Sequence, residues 1–202
     1  RRANVRRDQG FARLDFTATP GRTLTLVANA QRQPDTEDPQ GLAWDTFRRD
    51  PRAVEAPSRT FRTRKSVDHA QAGLGARWST GAPLAGGELT LLFGADLERS
   101  VDARRGYENF VGDMLGVRGA LRRDETDTVT RVDPFVQAVW ERGDWQWSAG
   151  LRHSTVRFRV DDDYVAGTNG DDSGSVTYRR ATPAVAVLWK AHPALNLYAS
   201  AG

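Results

Sequence analysis

Hydrophobic and polar residues alternate along long stretches of this chain. Leu89, Leu91, Phe93, Ala95 and Leu97, for example, are separated by Thr90, Leu92, Gly94 and Asp96, of which only Leu92 is large and apolar. A period of two places one set of side chains on each face of a β-strand. The predicted strands are longer than the roughly 5–6 residues usual in soluble sheets, and long enough to cross a bilayer at a tilt. Eight strands are predicted: Gln9–Ala18, Thr23–Arg32, Thr63–Trp78, Glu88–Glu98, Val129–Trp140, Trp145–Val160, Val176–Trp189 and Leu195–Gly202.

Short and long gaps alternate strictly between these strands. Membrane barrels carry tight turns on the periplasmic rim and longer loops on the outside. We therefore expect an all-β fold, an antiparallel transmembrane β-barrel segment with short periplasmic turns and long extracellular loops. The short gaps are Ala18–Arg22, Ser79–Gly87, Glu141–Asp144 and Lys190–Ala194, and the long gaps are Gln33–Arg62, Arg99–Thr128 and Asp161–Ser175.

Two places interrupt the strand pattern. Beyond Ser154 the alternation inverts, because Val156, Phe158 and Val160 share the face of Arg152. Either a β-bulge lies there or the strand has left the membrane. Pro134 cannot donate a hydrogen bond to a β-ladder, and it is a second candidate for a bulge.

Tryptophan supports the membrane assignment independently. Trp78, Trp140, Trp145, Trp147 and Trp189 all lie close to a short gap, and only Trp44 lies in a long one. An indole ring favours the membrane–water interface, because its body is apolar and its N–H can stay wet. The distribution predicts an aromatic girdle at the periplasmic side.

Composition leaves two other classes open. The 202 residues include no cysteine, carry a net charge of +3 and have a mean hydropathy of −0.60. Barrels escape a hydropathy scan because only alternate strand residues contact lipid. A complete eight-stranded barrel with a structural or adhesion role would fill its lumen with side chains. Glycines predicted to face the lumen, such as Gly73 and Gly94, would leave voids there, which disfavours this class. A soluble β-sandwich binding module is disfavoured because the apolar stripes are rich in alanine.

Arginines crowd the long gaps. The second long gap and its borders carry Arg99, Arg104, Arg105, Arg118, Arg122 and Arg123. Guanidinium groups match carboxylates and phosphates in a bidentate geometry, so an outer mouth lined by them attracts anionic ligands. The alternatives are that they bind lipopolysaccharide phosphates or only solvate the loops. Nucleic acid is disfavoured, because no aromatic stacking platform accompanies the arginines.

The residues indicate no catalytic or metal site. His69, His153 and His192 lie apart, and His153 and Ser154 point to opposite faces of a strand. The acidic third gap, Asp161–Ser175, matches no defined calcium loop and is typical of a solvated, turn-rich tip. We expect no enzyme activity, no cofactor and no bound metal.

Several segments resemble a known family in order along the chain. The chain as a whole resembles a TonB-dependent outer-membrane receptor of the iron-complex and siderophore superfamily, and most closely the branch of the pyrroloquinoline quinone importer. The segments that carry the resemblance are Asp38–Leu42, Thr63–Lys65, Arg105–Phe110, Gly119–Glu125, Asp133–Gln137, Ala149–Arg152, Asn169–Gly174 and Leu197–Gly202.

The resemblance implies a fragment of about eight strands from the middle of a 22-stranded barrel, with the N-terminal plug domain and the remaining strands absent from residues 1–202. It implies a Gram-negative outer-membrane location, contact with lipid and lipopolysaccharide, and coupling to TonB through the plug. One departure is that Thr63–Trp78 runs straight on where the family has a further hairpin, which leaves the register around Ala72–Glu88 open.

The implied activity is uptake of a scarce anionic small molecule, either pyrroloquinoline quinone, a ferric siderophore or ferric citrate. Arginine forks and aromatic faces suit such ligands, and the second long gap offers both. The candidate ligand-binding residues are Arg104, Arg105, Tyr107, Asn109, Phe110, Arg122 and Arg123.

Overall fold

The computed structural model describes residues 6–37, 44–52 and 64–202, with only the backbone for residues 35–37, 64 and 65. It contains ten strands and one short helix in this part of the chain. In chain order these are β1 (Asp8–Thr19), β2 (Arg22–Glu37), α1 (Trp44–Arg49), β3 (Arg64–Leu84), β4 (Gly87–Tyr107), β5 (Phe110–Val111), β6 (Met114–Leu115), β7 (Leu121–Arg142), β8 (Trp145–Asp162), β9 (Gly174–His192) and β10 (Leu195–Ala201).

Eight long strands form a single antiparallel sheet in the order β1-β2-β3-β4-β7-β8-β9-β10. Each predicted strand has its counterpart there, and β5 and β6 form a separate small hairpin inside the connection from β4 to β7. The sheet is open within the described residues, because β1 and β10 each pair with one neighbour only. The expected all-β, antiparallel architecture is confirmed.

Tight turns join the strands on one rim. Pro20–Gly21, Ala85–Gly86, Gly143–Asp144 and Pro193–Ala194 each form a two-residue turn. Ala85 and Gly86 both have positive φ, of 51° and 73°, which matches the type I′ turns that suit the twist of a hairpin. The predicted short gap Ser79–Gly87 is therefore wrong in extent, because β3 continues to Leu84.

The second long gap is also shorter than Arg99–Thr128. β4 runs on to Tyr107 and β7 begins at Leu121, so the loop proper spans residues 108–120. Backbone hydrogen bonds between β4 and β7 persist beyond the apolar stretch, since a β-ladder needs no apolar side chains. The alternation of apolar residues ends before the strands do.

The two faces of the sheet differ in chemistry. The apolar face carries Leu26, Leu74, Leu97 and Val132, all exposed on the sheet's surface. On the polar face, Arg77 lies opposite Gly94, which lies opposite Phe135, and Phe135 lies opposite Arg152. In the described residues no apolar side chain is buried and no second sheet packs on the first, which disagrees with a β-sandwich.

Neighbouring side chains lie over the glycines of the polar face. A Cβ added to Gly75 would lie 2.7 Å from Oδ1 of Asp96, and one added to Gly94 would collide with the carbonyl oxygen of Ala76 and lie 3.0 Å from the Phe135 ring. Gly94 needs glycine because a backbone oxygen approaches closely, whereas at Gly75 the near atom ends a side chain that can move. The surface above these two glycines is therefore occupied by neighbouring groups.

Neither predicted bulge is present. β8 keeps one register with β7 and one with β9 past Ser154, so the inverted pattern belongs to a continuous strand. Pro134 pairs in register with Ala95, while the ladder toward β8 skips Asp133 and Pro134 without a shift. The register shifts lie elsewhere, between Thr17 and Thr19, Gln33 and Thr36, Gly106 and Tyr107, and Leu195 and Asn196.

The register around Ala72–Glu88, which the sequence left open, is continuous. β3 and β4 pair residue for residue from Arg64–Tyr107 down to Leu84–Gly87. Trp78 lies opposite Leu24, two residues from the start of β2, and so stays near the turn rim although β3 continues past it. Among the described residues, no helix has the length and hydropathy needed to span a membrane.

Candidate functional site

An ion-pair network crosses the polar face at mid-height. Arg152 donates from Nη1 to Oδ2 of Asp133 at 3.2 Å, and its Nη2 lies 3.7 Å from Asp96. Arg77 donates to Asp96 at 3.1 Å, and Arg131 lies 3.5 Å from Asp133. Three arginines thus share two carboxylates, and these ion pairs connect the neighbouring strands β3, β4, β7 and β8.

Two features mark this network as tightly packed. Asp133 is only 2% exposed, and its Oδ1 has no hydrogen-bond partner among the described residues. The Phe135 ring lies between two guanidinium groups, with the Arg152 carbon 5.2 Å and the Arg77 carbon 5.9 Å from its centroid. Cation–π attraction of this kind adds to the ion pairs.

Nearer the loops, a second cluster joins two of the predicted ligand-binding residues. Arg104 lies 3.2 Å from Oε1 of Glu125, and Arg123 lies 3.3 Å from Oε2 of the same carboxylate. Arg104 also donates to Asp127 at 2.9 Å, and this hydrogen bond raises the pKa of the Arg104 guanidinium above its usual value. Glu125 therefore bridges Arg104 and Arg123.

The structure separates Arg105 from this cluster. Arg104 and Arg105 are adjacent strand residues and point to opposite faces. Arg105 is exposed on the continuation of the apolar face and donates to Asp124 at 3.3 Å. That hydrogen bond raises the pKa of the Arg105 guanidinium.

The remaining predicted residues surround the base of the 108–120 loop. Arg122 donates to Glu108 at 3.1 Å, and the Arg118 guanidinium lies 3.6 Å above the Tyr107 ring. Asn109 is 3% exposed, and its Nδ2 has no hydrogen-bond partner among the described residues. Phe110 pairs with Leu115 in the β5–β6 hairpin. A guanidinium group, an aromatic ring and a buried amide therefore lie within residues 107–122, at the base of this loop.

Sequence reasoning missed two features of the polar face. His69 Nδ1 lies 2.6 Å from Oδ1 of Asp102, although 33 residues separate them along the chain. Phe158 and Tyr178 meet edge to face, with ring centroids 6.0 Å apart. Both pairs join neighbouring strands, and the cross-strand register that would have revealed them was unknown.

The acidic third loop is held by its own hydrogen bonds. Asp162 accepts from the backbone N–H groups of Tyr164 and Asp172, and Asp171 accepts from Ser173. The Ser173 hydroxyl and N–H lower the pKa of the Asp171 carboxyl. Among the described residues no group of three or more potential ligands could hold a metal ion.

The sequence model of the family described as "TonB dependent receptor-like, beta-barrel" matches residues 1–202. The chain therefore belongs to the TonB-dependent receptors, as the resemblance predicted. Proteins of this family are receptors of the Gram-negative outer membrane.

Solved structures show the same fold at low identity. The chain is similar to the ferric citrate transporter FecA in its unliganded form, with a TM-score of 0.76 and 14% identity over 97% of this chain and 27% of that one. It is similar to the siderophore receptor PiuA and to BauA, the ferric preacinetobactin receptor, both from Acinetobacter baumannii. Each gives a TM-score of 0.70 and 12% identity over 97% of this chain, and 32% and 30% of theirs. The chain thus spans less than a third of the length of each structure.

Proposed function

We propose that this chain is part of the barrel domain of an outer-membrane receptor that binds an anionic small molecule outside the cell and imports it with energy from TonB. The observation that carries the proposal is the family match over residues 1–202. The plug domain and the remaining strands belong to the longer receptor, and TonB acts through the plug.

The fold argues against the two other classes. A stand-alone eight-stranded barrel needs its first and last strands to pair, and β1 and β10 do not pair in the described structure. A sandwich needs a buried apolar core between two sheets, which the described residues lack.

The ligand class is supported by the neighbours and by the loop. FecA is named for ferric citrate, PiuA for a siderophore and BauA for ferric preacinetobactin. On this chain Arg104 and Arg123 meet at Glu125, and Arg122 pairs with Glu108 at the base of the 108–120 loop. Their carboxylate partners hold the guanidinium groups in place, and an anionic ligand can exchange with Glu108 at the exposed Arg122. Pyrroloquinoline quinone has the same chemistry and is kept as an alternative ligand.

The test is uptake by the full-length receptor in a strain that lacks its own. Ferric citrate, a ferric siderophore and pyrroloquinoline quinone are offered separately, and growth is measured with the wild type and an Arg122→Ala, Arg123→Ala double variant. Loss of about 3 kcal/mol of charge-assisted hydrogen bonding would reduce ligand affinity by roughly 100-fold.

Arg105→Ala is the matched control. It removes the cation that pairs with Asp124 on the other face of β4 from Arg104, so uptake should stay at the wild-type level. Equal uptake by the double variant and the wild type would contradict the site, and growth on none of the three ligands would contradict the ligand class.

A further inference from the structure

A cavity of about 490 Å³ opens on the polar face, where β1, β2 and β3 lie side by side. Four side-chain amides and one aromatic ring line it, and we call these five residues the amide pocket: Gln9, Phe11, Asn29, Gln31 and Gln71. Gln9 lies opposite Gln31, which lies opposite Gln71, and Phe11 lies opposite Asn29. A row of amides therefore crosses three neighbouring strands, with an aromatic ring beside it.

The polar groups of the amide pocket are not used by the fold. Among the described residues, none of the four side-chain amides makes a hydrogen bond. The ring of Phe11 is 71% exposed, although it lies on the polar face. Each amide offers two N–H donors and one carbonyl acceptor. The pocket thus presents many unused donors and acceptors around one apolar ring.

A glycine sets the position of one of these amides. A Cβ added to Gly73 would lie 2.9 Å from Nδ2 and 3.1 Å from Oδ1 of Asn29. The Asn29 amide therefore lies directly over Gly73, close to the surface of the sheet. Both of its polar atoms stay available to a group bound in the cavity, because Asn29 is exposed on this face.

The amide pocket differs in charge from the surface around it. Its lining carries no formal charge, whereas charged and basic side chains lie at its borders. Each of these has a partner: Arg7 with Gln33, Arg13 with Asp15, His69 with Asp102, and Arg131 with Glu98. The lining therefore favours an uncharged group with many hydroxyls over an anion.

We propose that the amide pocket binds a neutral hexose from the outer medium, at a subsite separate from the arginines proposed to hold the anionic ligand. Sugar hydroxyls both donate and accept hydrogen bonds, as the amides do. The apolar C–H face of a pyranose ring matches the exposed ring of Phe11. The cavity volume also falls within the roughly 300–1,000 Å³ of small-molecule sites.

The inference rests on the orientation contained in the proposed function. Gln9 lies near the start of β1, Gln31 beyond the middle of β2, and Gln71 in the first half of β3. All three positions belong to the ends of the strands opposite the tight turns. The pocket therefore opens toward the extracellular loops, where a free sugar can enter.

The test measures binding of methyl glycosides to the purified full-length receptor, in a detergent without a sugar headgroup. Methyl glucoside, galactoside and mannoside are titrated separately by NMR, and at least one should bind saturably. The variant Gln31→Leu, Gln71→Leu should weaken that binding by roughly 30-fold, because two hydrogen-bonding amides are lost. Phe11→Leu should abolish the upfield ring-current shift of the bound sugar's C–H protons.

Matched variants separate the amide pocket from the rest of the polar face. Gln137→Leu, Gln146→Leu makes the same two changes on β7 and β8, outside the pocket, and should leave the Kd unchanged. Gln31→Asn, Gln71→Asn keeps the amides but shortens them, and should give intermediate affinity. This second variant tests the site even if the leucine variant folds poorly.

Three results would overturn the inference. The first is that no glycoside binds saturably at its highest soluble concentration, and the second is an unchanged Kd in the folded leucine variant. The third is tighter, Gln31- and Gln71-dependent binding of a blocked dipeptide, which would assign the pocket to peptides. Uptake of the anionic ligands should persist in the leucine variant, so failure of this inference and failure of the proposed function remain distinguishable.

Discussion

The lower and upper halves of β7 and β8 are built from the same two strands in one unbroken register, yet their faces are reversed. Below Ser154, Leu151 lies on the outer face and Arg152 on the polar face. Above it, Arg157 lies on the outer face and Phe158 on the inner one. If the chain lies in the outer membrane as proposed, the medium outside each half, lipid below and headgroups or water above, accounts for which face is apolar.

The inner face of the upper half is then free to be apolar. Val156, Phe158 and Val176 lie there beside Tyr178, all partly exposed. Such a patch is costly in water unless other groups cover it, whereas the lower polar face is satisfied by its own ion pairs. The lower half is therefore stabilised by ion pairs on its polar face, and the upper half depends on contacts between apolar side chains.

The largest expected effect comes from placing a charge on the apolar face at mid-height. Leu151→Arg should destabilise the receptor by about 2–4 kcal/mol, because the guanidinium would lie near the bilayer midplane. Thr155→Arg, four residues farther along β8 toward the loops and directly opposite Arg179, should cost about 0–1 kcal/mol. Unfolding of the full-length receptor from lipid bilayers by guanidinium chloride measures both, and equal costs would contradict the assigned depth.

Breaking the lower ion-pair network should have the next largest effect. Asp133→Ala removes the carboxylate that accepts from Arg152 and pairs with Arg131, so we expect a loss of about 2 kcal/mol. Asp161→Ala breaks the exposed pair with Arg159 in the upper half and should leave the free energy of unfolding unchanged. The same unfolding measurement compares the two variants. A larger loss of stability for Asp161→Ala would contradict the conclusion that ion pairs stabilise the lower half more than the upper half.

Close packing on the lower polar face can be tested with one methyl group. Gly94→Ala should cost about 1–3 kcal/mol, since the new Cβ would collide with the carbonyl oxygen of Ala76. Gly150→Ala is the control, because its Cβ would meet the Val136 carbonyl oxygen at an ordinary 3.4 Å. A comparison of their thermal unfolding in detergent checks this, and equal melting temperatures would argue against close packing at Gly94.

The smallest effect concerns the aromatic pair of the upper inner face. A double-mutant cycle with Phe158→Leu and Tyr178→Leu should give a coupling energy of about 0.5–1.5 kcal/mol from their edge-to-face contact. Unfolding free energies of the four proteins supply the cycle. Additive effects would mean that the rings contribute only their separate apolar surface.

The number, order and type of the long strands could be predicted from alternation alone, because one face of each strand meets lipid. The strand ends could not. Beyond Arg99 on β4 and before Val129 on β7 charged residues occur on both faces, so the pattern fades while the backbone ladder continues. The turn at Ala85–Gly86 was also placed wrongly, because β3 continues six residues beyond Trp78, to Leu84, before the chain turns.

The arginines of the candidate site were visible in the sequence, but their partners were not. Arg104 finds Asp127 across 23 residues of chain, and His69 finds Asp102 across 33. Such pairs are set by register, and a slip of one residue would exchange every partner. The separation of Arg105 from Arg104 follows directly from strand geometry and could have been predicted once both were placed within β4.

The tryptophan girdle also gives the receptor a built-in optical probe. Trp145 stacks on Trp147 and Trp189, with ring centroids 5.8 and 5.3 Å apart, and Trp140 lies opposite Trp147. Indole emission from these residues therefore originates at a single depth of the bilayer. With Trp44 and Trp78 replaced by phenylalanine, quenching by lipids brominated at successive acyl carbons would report how deeply the turn rim of this sheet lies in the membrane.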